Sequence, residues 1–148
     1  MSQHSSPNPV SLEQTEQLRQ WILQRLPPKP DWLSTCTAAS SPESATTRSK
    51  AEIVGIGGPT CLFRLMQEAL GGTQDSFTAA DARRAIEENV DKDDDWLAVR
   101  YPQPKMVLPK MVLLSTVMEH AGFDSVRYEE AVGSCPGVLV SATYWEKS

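Results

Sequence analysis

"GIGGPTCLFRLMQEALGGTQD", residues 55–75, joins a glycine-rich loop to an apolar helix, with a cysteine at the junction. The spacing predicts a helix from Cys61 to Leu70 with Thr60 as its cap, because a hydroxyl there accepts from the free N–H groups of the first turn. Leu62, Leu65, Met66 and Ala69 recur at three- and four-residue intervals and form its buried side. Gly71 and Gly72 stop it. Upstream, "AEIVGI" (51–56) reads as a short strand or extended segment. Strand, loop and helix in that order set the pattern from which the rest is read.

Downstream, Thr78 and Asp81 open a second helix, "AADARRAIEEN", whose small apolar residues suit close packing. "PKMVL" then occurs twice in tandem, at 104–108 and 109–113, too short a period for a solenoid. The first copy, between prolines, is expected to be extended. The second uses Pro109 as the first residue of a helix that runs to His120 or Ala121 and stops at Gly122. Leu113 and Val117 are read as its buried face and Glu119 as a dispensable surface residue. "DSVRYEE" and "GVLVSATYW" (137–145) follow as strands. Helices first and strands last give an α+β class, with a short antiparallel sheet toward the C-terminus.

At the other end, "SLEQTEQLRQWILQRL" (11–26) opens with Ser11 and Gln14 in capping-box spacing and carries Leu18, Ile22 and Leu26, joined by Trp21, as a stripe. "PPKP" at 27–30 ends it. The Ser/Thr/Ala-rich stretch beyond has no periodicity. Three segments result: a helical arm (1–33), either detached or packed back on the core; a mobile linker (34–49); and a compact domain (50–148). Proteolysis in the linker is expected to leave a stable fragment from near Lys50.

The chain has 148 residues, one domain's worth, and a net charge of −5, which argues against a nucleic-acid partner. No apolar run is long enough for a bilayer, and the N-terminus is polar, so neither a membrane nor a secretory route is expected. Three widely spaced cysteines, Cys36, Cys61 and Cys135, form no disulfide framework or paired metal motif, and a reduced, cytoplasmic protein without cofactor is the expectation. Asp91, Asp93 and Asp95 alternate as in a calcium loop. Trp96 and Pro102, however, stand where that loop needs Gly and Glu. The glycines at 55, 57 and 58 precede a helix N-terminus, but Thr60 and the absence of a βαβ pattern do not fit a dinucleotide fingerprint.

Cys61 carries the remaining chemistry. At a helix N-terminus the dipole and free N–H groups favour the thiolate, the nucleophilic form, and the same donors can hold a tetrahedral oxyanion. The competing reading is a small hydrophobe that begins a core helix.

"CLFRLMQEALGGTQD" followed by "AADARRAIEENVD" resembles the catalytic-cysteine region of the ovarian-tumour (OTU) family of papain-like cysteine peptidases, over roughly Gly57 to Trp96. "LLSTVMEHAGFDSVRY" is similar to that family's next helix and strand. The resemblance implies a small papain/OTU-like domain and a cysteine peptidase or deubiquitinase-like hydrolase acting on a protein substrate, ubiquitin-like proteins among them. It implies Cys61 as nucleophile and the backbone N–H groups of Thr60 and Cys61 as oxyanion donors. The chain has Gly58-Pro59-Thr60 in place of the family's Asp-Gly-Asn, and its late "SATYWEKS" has no histidine. His120 is then the imidazole left to serve as base, with Asp124 to orient it; His120 also reads as a helix-terminal histidine favoured by the dipole. The alternative function is a non-catalytic protein-interaction module anchored by Trp96, Tyr144 and Trp145.

Overall fold

The structure, a computed structural model, describes residues 6–31, 33 and 53–131. Cys36, Cys135, Tyr144, Trp145, the linker and the "GVLVSATYW" strand lie outside the described residues, as does His4.

Helix α1 (Leu12–Leu23) begins as its sequence requires: the Gln14 N–H donates to Ser11 Oγ at 3.2 Å, and the Ser11 N–H donates to Gln14 Oε1 at 2.9 Å. Strand β1 (Val54–Gly57) leads through the glycine loop to α2 (Leu62–Ala69). Strand β2 (Ser76–Thr78) runs into α3 (Ala79–Asn89), which carries the expected box between Thr78 and Asp81. The acidic turn becomes the start of α4 (Asp94–Arg100), with Asp93 accepting from the Trp96 N–H at 2.8 Å. A 3₁₀ turn (Pro104–Met106) then leads into α5 (Val107–Ala121), and strand β3 (Ser125–Glu130) follows.

The class is α+β, as the order of patterns predicts, with mostly helices first and β3 after the last helix, although β1 and β2 are interleaved among the helices. The sheet is mixed, in the order β1-β3-β2. β2, a strand not expected from the sequence, pairs antiparallel with β3, with Phe77 opposite Val126, whereas β1 runs parallel to β3, with Gly57 opposite Glu130. A connection through four helices intervenes between β1 and β3, long enough for the crossover that parallel pairing demands.

α5 is the axis of the core. α1, α2 and α3 all pack on it, and Val107, Leu108, Met111, Val112, Leu114 and Met118 are buried along it. A helix apolar on nearly every side is a helix with neighbours on nearly every side. The helix starts two residues before Pro109, inside the first PKMVL copy, which is helical rather than extended. Proline is tolerated there because the first turn's N–H groups have no intrahelical acceptor. Leu113, expected inside, is 39 % exposed, and Val117 is half-buried.

The arm is packed back rather than detached. Thr15 and Ile22 of α1 are buried, with Leu18 and Leu26 against the core. Trp21 turns outward beneath the Arg25 guanidinium, 3.8 Å from the ring centroid. Glu119, expected to be dispensable, accepts from Arg19 on α1 (3.0 Å) and Arg83 on α3 (2.6 Å), tying three helices together.

Candidate functional site

The loop before α2 is a β-turn with Pro59 at its second position, where the ring's fixed φ suits the turn. The Cys61 N–H closes it by donating to the Gly58 carbonyl at 3.1 Å. The helix therefore begins one residue later than its apolar pattern suggests. Cys61 itself is the cap, its sulfur accepting from the Arg64 N–H at 3.3 Å, and Thr60 lies outside the helix. The thiol is half-buried.

Alternate glycines make room for this arrangement. A Cβ on Gly57 would lie 2.6 Å from Cys61 Cβ and 2.7 Å from its sulfur, and one on Gly55 would lie 2.5 Å from the Phe63 ring. Both residues sit on the same side of β1, and the first turn of α2 presses directly onto that bare backbone. Next to Gly55 in the sheet is Tyr128, stacked with Phe63 at 6.5 Å between ring centroids. The Tyr128 hydroxyl donates to the Gly57 carbonyl at 3.0 Å. Burial pushes its ionisation up, and the charge and hydrogen bonding of Cys61 push in the same direction, so Tyr128 stands beside the thiol as a neutral donor.

On the other side, the N-terminal end of α5 reaches the loop. Lys110 Nζ donates to the Thr60 carbonyl and to Gln103 Oε1, both at 2.7 Å. Pro59, Thr60, Cys61, Glu68, Gln103 and Lys110 line a shallow recess of about 10 Å³. That is room for about one water, not for a small-molecule ligand. Glu68 is held by Arg64 at 3.1 Å.

The expected catalytic partners are elsewhere. His120 Nε2 lies 2.9 Å from the Pro27 carbonyl, at the opposite end of α5 from Lys110, roughly 15 Å further along its axis. It serves the end of the arm, and no hydrogen bond joins it to Cys61 among the described residues. Asp124 is exposed just before β3, whose Ser125 end pairs with Thr78, remote from the Gly57–Glu130 end beside Cys61. Of the two expected oxyanion donors, the Cys61 N–H is engaged by Gly58, while the Thr60 N–H makes no hydrogen bond among the described residues. The structure thus brings Thr60 and Cys61 together and leaves His120 and Asp124 apart from them.

Tyr128, Lys110 and Phe63 were not singled out from sequence. Strand alternation with Val126 does place Tyr128 inward. Lys110 is the polar residue in the second PKMVL copy, and only the course of α5 shows that it reaches Thr60.

A second groove, of about 400 Å³, runs between α1, α3 and α5, lined by Leu12, Arg19, Arg83, Ile86 and Glu119 among others. Glu119 already occupies the space between its two guanidinium groups. No three metal-ligating side chains converge among the described residues, and no helix there is long and apolar enough to cross a membrane. Compared with known proteins, the chain matches no family model, no curated protein and no solved structure.

Proposed function

We propose that the domain is a thiol hydrolase of the papain/OTU-like kind, with Cys61 as its nucleophile and without His120 as its base. The observation that carries this reading is the setting of the sulfur. It is half-buried at the N-terminus of α2, on an N–H donor, behind a glycine turn and at the mouth of an open recess. A thiol is a weak hydrogen-bond acceptor, and a hydroxyl or carboxylate would cap the helix better. Reactivity is what a cysteine adds there. The recess is too small to engulf a ligand, which favours a polypeptide laid across the surface, ubiquitin-like proteins being the candidates.

A non-catalytic binding module remains the second reading, favoured by two observations: His120 bonded to Pro27, and the Cys61 N–H bonded to Gly58. Ubiquitin carrying a C-terminal electrophile separates the two. The hydrolase reading expects an adduct on Cys61 that is lost in Cys61→Ser and kept in His120→Ala. No adduct, with the protein folded, leaves the binding module.

A further inference from the structure

We propose that Lys110 is the positioning residue of the Cys61 turn, an inference that rests on the nucleophile reading above. The turn is held from two sides. Inside, the Cys61 N–H donates to Gly58; outside, Lys110 donates to the Thr60 carbonyl. A peptide group is planar, so fixing the Thr60 oxygen and the Cys61 N–H fixes the plane from which the cysteine side chain leaves. The ammonium is itself anchored at 2.7 Å by Gln103, just before the 3₁₀ turn, so the clamp is braced against the start of α5.

Lys110 also has an electrostatic part. Thr60 and Cys61 line the same recess, and an uncompensated carbonyl dipole beside the thiol opposes a thiolate. Both acceptors of Lys110 are neutral, and no carboxylate pairs with it among the described residues. Its positive charge therefore bears on the Thr60 carbonyl, while Glu68, the carboxylate of the same recess, is held by Arg64.

The test is the rate of Cys61 carboxamidomethylation by iodoacetamide in the folded full chain at neutral pH. It is read by site-resolved mass spectrometry in wild type, Lys110→Met, Lys110→Arg and Gln103→Leu. Lys110→Met is expected to slow the reaction roughly two- to fivefold, the range of a charge–dipole contact. Lys110→Arg, which keeps the charge and the donor, should restore most of the rate. Gln103→Leu, which frees the ammonium, should give a smaller loss, and all four thermal midpoints should agree. An unchanged rate in Lys110→Met overturns the proposal, as does a loss that Arg fails to restore or that follows a fallen midpoint. A wild-type Cys61 that does not react at all in the folded protein overturns the nucleophile reading instead.

Discussion

At the scale of single residues, the glycines before Cys61 divide into two kinds. Gly55 and Gly57 are bare because Phe63 and Cys61 occupy the space a Cβ would need, whereas nothing lies within 4 Å of a Cβ on Gly58. Gly55→Ala and Gly57→Ala should each destabilise by about 1–3 kcal/mol, the usual result of forcing a methyl into a packed contact. Gly58→Ala should be close to neutral in urea unfolding. Equal losses at all three would show that loop flexibility, not packing against β1, is what these glycines supply. The sequence made the loop legible but not this distinction. "GIGG" reads as a flexible loop until the helix that lands on it is seen. The cap was misassigned for a related reason: a hydroxyl at Thr60 is the stronger capping group, but the turn closed by Pro59 carries it past the helix start.

Glu119 belongs to the same scale. Burial raises its carboxyl ionisation, but hydrogen bonds and charge from Arg83 and Arg19 outweigh that and leave it below the ordinary value of 4.5. A carboxyl whose folded value is depressed stabilises fully above its unfolded value and loses that contribution as pH falls through the folded one. Glu119→Gln should therefore cost about 1 kcal/mol at pH 7, discounted for the exposure of Arg83. The gap to wild type should narrow below pH 4.5. A gap that stays constant down to pH 2 would mean that the two arginines gain nothing from the charge.

At the scale of elements, α5 tests how periodicity is read. A helix with one apolar stripe announces its buried face. Its partner count was the missing information, because Leu113 and Val117 are as apolar as the residues that are buried. With α1, α2 and α3 around it, the fully buried apolar positions are Val107, Leu108, Met111 and Met118, each 1 % exposed or less. Met118→Asp should unfold the domain, since an unpaired charge in that setting costs several kcal/mol. Leu113→Asp, on the open side, should leave a folded protein with a melting temperature lowered by a few degrees. The reverse order in thermal denaturation would put the buried face where the stripe alone suggested.

At the scale of the whole molecule, the arm and the core pack on one another. α1 buries Ile22 and packs Leu18 against the core, Leu26 beyond its end does the same, and its Arg19 shares Glu119 with α3. A chain beginning at Lys50 should be less stable than the full one by at least the 1.5–3 kcal/mol of a buried isoleucine, estimated roughly. Fragment and full chain with equal urea midpoints would mean that the arm adds nothing. The α+β class was legible because it needs only the order of periodic segments. That β1 pairs in parallel with β3 was not, since strand order depends on where four intervening helices deliver the chain. The same limit governs the site. Composition leaves His120 as the imidazole for Cys61, yet it is Lys110, at the other end of α5, that reaches the Cys61 turn, a separation that only the packed molecule reveals.

The most direct test of the central claim, a reactive thiol that does not depend on His120, is the iodoacetamide rate constant of Cys61 in the folded protein, compared with its own rate after unfolding in urea and with the folded rate in His120→Ala. The account predicts a folded rate at least equal to the unfolded one and unchanged in His120→Ala. A Cys61 that labels only after unfolding would be a core residue that happens to cap a helix, and a folded rate that collapses in His120→Ala would restore the imidazole as its partner; either result would contradict the account.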